Sequence, residues 1–373
     1  MSCPADALEA VRHPDPYPFY GRLAATCPFS FDERLGCWVA SSADTAMAVL
    51  ESGLCQVRPV DSPVPPAILD SPAADIFRRL VRMTDDGRHG PMKAAIAGAL
   101  GSVSPEQADA TSGACAAALA QAIRGPDDVS AFAFALPLRV MASLLGFPES
   151  DLPRIVGLTA AFVKGLSPLA TAEQAHACGQ AARPLLDMMR SRLEEIAADS
   201  PRDLLGALAE AAHRLGCGDP DAVAANAVGL MMQSQEATAG WIGTTLAALS
   251  SRWPSIPRET ISAALLHGLR TDPPIQNTRR YVARDSVIAG KAVKRGDMIL
   301  VVLAAGRDGA GRRREAEDPG LAFGHGRHRC PGPQLAATIA KAGIEALATR
   351  RVPLPASVLS RAYRPSPNAR IPL

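Results

Sequence analysis

LAFGHGRHRCPGPQLA, residues 321–336, places one cysteine, Cys330, among three glycines, two histidines and two arginines, just ahead of a segment that reads as a helix. A helix N-terminus presents unsatisfied N–H groups and positive potential. Both stabilise a thiolate and lower a cysteine pKa. Gly324, Gly326 and Gly332 let the backbone turn tightly against a flat partner. His328 and the neighbouring arginines suit anionic groups on that partner. A thiolate in such a loop fits a metal macrocycle carrying carboxylates, with haem and an axial cysteine as the concrete case. The bland alternative is a buried free cysteine.

The chain has 373 residues, 47% of them apolar, and a net charge of +2. It is long enough for a sizeable core, and no charge excess points to nucleic acid. Eight cysteines are scattered without a CxxC pair. That distribution predicts a reducing cytoplasm rather than a disulfide scaffold. The N-terminus lacks the basic start and apolar run of a signal peptide. No window reaches the ~18 uncharged apolar residues of a membrane span.

Outward from the cysteine loop, PQLAATIAKAGIEALAT (333–349) reads as a helix, and RRYVARDSVIAGKAVKRGDMILVVL (279–303) as short strands. The stretch 304–320 is polar and Gly-rich. Residues 73–270 are largely helical, broken at GPDD, GFPESD, DSPRD and GCGDPD. The longest helical segment, 222–253, is apolar except for QSQE at its middle. Residues 57–72 are Pro-rich and predict loop, and 27–42 predict two strands around ERLG. The expected architecture is mainly α with small β-sheets, in one domain over residues 1–373.

FGHGRHRCPG resembles the haem-binding loop of the cytochrome P450 family, FGxGxHxCxG, matching at Phe323, Gly324, Gly326, His328, Cys330 and Gly332. The resemblance implies that Cys330 is the thiolate ligand of haem b iron, that Phe323 packs near the sulfur, and that His328 meets a propionate. MTDDGRHGPMK resembles the family's other propionate segment, giving His89 and Lys93, with lysine where arginine is usual. Arg280 falls at a further propionate position. The likeness runs from about Pro16 to Leu373, with the segment between Asp308 and Leu321 shortened, and implies no fused reductase. It implies a monooxygenase oxidising a small specialised metabolite with dioxygen and electrons from a separate ferredoxin or flavodoxin. Arg307, Arg312, Arg313, Arg314, Arg327 and Arg329 would form the basic docking face.

Two departures stand out. The helix that carries Glu-x-x-Arg in the family has His267 in place of the glutamate and keeps Arg270. The long helix, where the family has Ala-Gly-x-Glu/Asp-Thr, reads Gln233, Ser234, Gln235, Glu236, Ala237. Glu236 keeps the acid position of a proton relay. Ala237 replaces the threonine, and Thr238 is rotated about 100° from it. Ser234, Gln235, a substrate hydroxyl or water are the candidate substitutes for the missing alcohol. The pocket is expected to use the Pro-rich loop around residues 56–82, with Met232, Gln233, Gln235, Glu236, Ala237, Ile275, Gln276 and Asn277, and no arginine-rich carboxylate clamp is evident on the distal side. These departures leave two rivals: a peroxide-using or rearranging haem-thiolate enzyme, and a non-catalytic haem-binding accessory protein.

Overall fold

The computed structural model describes residues 3–198, 203–307 and 319–372. In chain order the elements are α1 (Tyr17–Thr26), β1 (Phe29–Asp32), β2 (Cys37–Ala40), α2 (Ala43–Glu51), β3 (Cys55–Gln56), α3 (Pro72–Arg79), α4 (His89–Gly101), α5 (Pro105–Ala120), α6 (Asp128–Leu144) and α7 (Leu152–Leu166). They continue as α8 (Ala172–Ala198), α9 (Leu204–Arg214), α10 (Pro220–Leu249), α11 (Arg258–Thr271), β4 (Asn277–Val282), β5 (Ser286–Ile288), β6 (Lys291–Val293), β7 (Met298–Val302), α12 (Pro333–Thr349) and α13 (Ala356–Ser360). The mainly helical expectation holds.

Start signals are where side-chain chemistry puts them. Ser42 caps α2 in a reciprocal box with Thr45. Ser104 and Asp203 accept the N–H of Gln107 and Gly206 at the starts of α5 and α9. The hairpin expected around ERLG is β1–β2, paired antiparallel from Phe29 opposite Ala40 to Asp32 opposite Cys37. The sheet order is β1-β2-β7-β4-β3, with β2 and β7 parallel and the other pairs antiparallel. β5 and β6 form a separate hairpin.

The helix α10 runs through the middle of the helical layer. It is apolar on all sides, and helices of that kind lie in cores. It packs on α3, α6, α8, α11 and α12. Gly229 lets it approach Leu80: a Cβ there would lie 2.7 Å from Leu80 Cδ2. The buried Asn226 ties it to the chain ahead of α4. Its Oδ1 accepts the Val81 N–H at 2.8 Å, and its Nδ2 donates to Arg79 O at 2.9 Å. Among the described residues, no helix is long and apolar enough to cross a membrane.

Candidate active site

A cavity of about 810 Å³ opens between the middle of α10 and the loop 322–332. Its side walls are the Pro-rich loop from Val57 to Pro66, the start of α4, the start of β4 and the C-terminal turn Pro365–Asn368. Cys330 lines its floor, alone among the eight cysteines.

The floor is built by backbone geometry. Gly324 and Gly326 have φ of +71° and +66°, the left-handed region that glycine tolerates. Cys330 N–H donates to Phe323 O at 2.9 Å, closing the loop. Gly332 N–H donates to Cys330 Sγ at 3.4 Å, and Pro333 starts α12 directly after. Burial pushes the Cys330 thiol up, while the Gly332 N–H, Lys93 and Arg329 pull it down. Phe323 meets the Trp241 ring of α10 edge-on at 5.9 Å. At Gly326 a methyl group would lie 2.9 Å from Leu50 O. Gly326→Ala therefore combines a left-handed alanine with a backbone clash, at a cost of about 2–4 kcal/mol. Thermal unfolding checks this: a change within about 0.5 kcal/mol would show that α2 yields freely.

The cations named by the sequence converge on one side of this floor. His89, Lys93, Arg280 and His328 all line the cavity. The His89 and His328 rings lie 4.4 Å apart. His328 Nε2 donates to Asp85 Oδ1 at 3.0 Å, and Arg327 pairs with the same oxygen at 2.7 Å. Burial works against the Asp85 carboxylate, but His328, the Val57 N–H and Arg327 together hold its pKa below the usual range. Burial and the positive neighbours His328, Lys93 and Arg327 push His89 down to about 4. Its buried Nε2 has no hydrogen-bond partner among the described residues. Lys93 Nζ donates to Arg329 O at 2.6 Å. Arg280 is 5% exposed and donates to Thr278 Oγ1 and Arg279 O.

The distal wall corrects the sequence in three places. Gln235 does not reach the cavity; it is buried, with Nε2 3.5 Å from Phe134 O on α6. Thr238 does line the cavity beside Ala237, and its hydroxyl has no hydrogen bond to a described residue. Gln276 is fully buried off the cavity, its Nε2 donating to Pro273 O at 2.7 Å. Met232, Gln233, Ser234, Glu236, Ile275 and Asn277 line it as expected. The Ser234 hydroxyl, however, donates to Met231 O at 2.7 Å and Gln233 Nε2 to Gly229 O at 2.9 Å, both on their own helix. Burial raises the Glu236 pKa, against Arg364 and Arg82, which lower it.

Sequence reasoning reached Arg58 and Arg82 only as part of the segment 56–82, and missed Asp85 and Trp241. Arg82 and Arg58 line the cavity, two arginines that the sequence did not single out. The departure at His267 is an exposed residue of α11, next to the buried Gly268. Arg312, Arg313 and Arg314 lie outside the described residues, as does the Arg307 side chain; Arg327 turns inward to Asp85.

Fold and floor together define a haem-thiolate class of architecture: a long core helix facing a glycine-flanked cysteine loop that leads into a helix. No family model matches the chain. Individual proteins do. Cytochrome P450 144 of Mycobacterium tuberculosis is 29% identical over 229 residues, 56% of this chain and 51% of that protein. This chain therefore spans about half the length of that relative. Cytochrome P450 monooxygenase PikC of Streptomyces venezuelae is 28% identical over 361 residues, 90% of this chain and 84% of PikC. The crystal structure of CalO2 superposes with a TM-score of 0.76 at 23% identity, covering 93% of this chain and 91% of CalO2. The chain is similar in sequence and in fold to bacterial cytochromes P450.

Its cavity fits the haem of that family. A thiol stands on the floor. Two imidazoles, a lysine and an arginine gather to one side, one imidazole with an orphaned buried nitrogen. That donor set matches one soft iron ligand and two carboxylates.

Proposed function

We propose that this chain is a haem b monooxygenase that inserts oxygen into a small specialised metabolite, using dioxygen and electrons from a separate ferredoxin or flavodoxin. The observation that carries the reading is Cys330 on the cavity floor beside four propionate-type partners. When bound, a thiolate-ligated haem supplies reductive activation of dioxygen. Cys330 would serve as the thiolate ligand, with the Gly332 N–H and Lys93 offsetting the burial of its charge. His89, Lys93, Arg280 and His328 would hold the propionates, and Asp85 would keep the His328 ring in place through Nε2. Glu236 would hold the proton to be delivered, since burial keeps it from ionising as readily as an exposed carboxylate. The Thr238 hydroxyl, uncommitted and at the cavity wall, is a better candidate than Ser234 to order water. Leu80, Val81, Met232, Trp241 and Ile275 supply apolar walls that exclude bulk water. Hydroxylation or epoxidation fits this arrangement first, with desaturation or ring coupling as variants. All eight cysteines are free thiols, which supports the cytoplasm as its compartment.

A second reading, peroxide-driven turnover, is favoured by one observation: Ala237 removes the alcohol at the position where the family has it. One experiment separates the readings. The dithionite-reduced protein under carbon monoxide is expected to show the red-shifted Soret band of a thiolate-ligated haem. Turnover of a screened substrate is then expected with ferredoxin, reductase and NADPH. Turnover with hydrogen peroxide alone would move the assignment to the second reading. A carbonyl band lacking the red shift would end the thiolate assignment.

A further inference from the structure

The charges on the cavity wall do not balance. Five cationic residues border it, namely Arg58, Arg82, Lys93, Arg279 and Arg280, against one carboxylate, Glu236. Four of the five are accounted for. Lys93 and Arg280 donate to carbonyls on the propionate side. Arg58 lies within 3.5 Å of Thr84 Oγ1 and faces Asp85 and Asp86. Arg279 alternates with Arg280 along β4, and its charge is felt at Cys37 and Tyr281 instead.

Arg82 is different. Its side chain is exposed, and it lines the cavity. It makes no hydrogen bond and no ion pair with a described residue. The one opposite charge that faces it is Glu236, which Arg364 faces too. Two guanidiniums thus share one carboxylate whose own burial favours the neutral form. The position of Arg82 is not accidental. It sits in the short turn Val81–Met83, and Asn226 of α10 bonds the backbone at Arg79 and Val81. Thr84 Oγ1 donates to Leu80 O at 2.9 Å across the same turn. A guanidinium held this way on a cavity wall, with no partner of its own, is stabilised by a charge-assisted pair with an anion brought in from outside. Two propionates already have two full cations and two imidazoles to meet them.

We propose that Arg82 recognises a carboxylate on the substrate and holds it at the distal end of the cavity, beside Glu236. The inference rests on the haem reading of this cavity and names the substrate class within it: a small carboxylic acid. A conjugate whose acid is masked as an ester or amide loses this contact.

The test uses haem-loaded protein and probes anchored by their own chemistry, ω-(imidazol-1-yl)alkanoic acids of graded length and the matching alcohols. Imidazole ligation to the iron shifts the Soret band, which reports binding without turnover. At the best length the acid is expected to bind about 10–100-fold more tightly than the alcohol, the usual range for hydrogen bonds to a charged group. Arg82→Gln is expected to bring that ratio below about threefold while leaving alcohol affinity unchanged, and Arg82→Lys to keep part of it. Equal binding of acid and alcohol at every length would overturn the proposal. So would a preference that survives Arg82→Gln, or an Arg82→Gln protein that loses haem while its remaining holoprotein keeps the ratio, which would make Arg82 a propionate partner. A wild-type protein with no imidazole-induced shift would sink the haem reading itself, and this proposal with it.

Discussion

Asp272→Ala is expected to destabilise the chain by about 3–5 kcal/mol, the cost of leaving a buried charge without its partner. Asp272 follows directly after α11 and accepts from the Tyr17 hydroxyl, from the Tyr363 hydroxyl at 3.1 Å and from Arg370 Nε at 2.6 Å. Arg370 has no exposed surface. Its guanidinium lies 3.7 Å from the centre of the Tyr363 ring and donates to Val11 O, His13 O and Pro14 O. Without the carboxylate, carbonyl dipoles and an aromatic face remain, and neither neutralises a full charge. Asp272→Asn keeps an acceptor and is expected to cost less. The double replacement by Asn and Met removes both charges and is expected to cost less than the sum of the single changes. Urea unfolding of the wild type, Asp272→Ala, Asp272→Asn, Arg370→Met and the double variant measures this. An Asp272→Ala change within about 0.5 kcal/mol would show that the pair is not a stabilising contact.

Cys330→Ser is expected to abolish both the red-shifted carbonyl band and oxygen insertion. A serine alcohol has no accessible anion comparable with a thiolate, so the electron push onto the iron is lost. Haem retention is expected to fall only in part, because His89, Lys93, Arg280 and His328 still line the cavity. No other cysteine lines it. Cys37 and Cys178 are buried elsewhere, with thiols pushed up to about 11 and about 12 by desolvation. A Cys330→Ser protein that keeps the red shift would mean that the ligand is not Cys330.

How much of this was legible follows from particular residues. The cysteine loop could be read because glycine, histidine and cysteine recur there in a spacing that ordinary loops do not need. The helices could be read because Pro and Gly clusters punctuate them. The phase of α10 could not. A helix buried on every side has no amphipathic face, so nothing in its composition says which of Gln233, Ser234, Gln235, Glu236, Ala237 and Thr238 meets the cavity. The structure turns Gln235 away and brings Thr238 in. Gln276 was avoidable: in an extended segment the middle of three consecutive residues faces away from its neighbours, and Ile275 and Asn277 took the cavity side. Arg82 fell at the end of the segment 56–82 expected along the pocket, but nothing singled it out. It is one arginine in a three-residue turn, placed by Asn226, 144 positions on, and by Thr84 beside it.

The bonds from Arg370 to Val11 join residues 359 apart in the chain. Closing so long a loop adds only about 0.6 kcal/mol per doubling of length, so the contact is affordable at equilibrium. It is a poor candidate for the folding nucleus, because so distant a pairing forms after the chain between has collapsed. Interactions absent from the barrier act on the rate of opening and leave the rate of closing nearly untouched. Loosening Arg370 is therefore expected to shorten the lifetime of the native protein, as read by stopped-flow unfolding, while refolding proceeds at its former pace. The latch sets how long the molecule persists rather than how fast it forms.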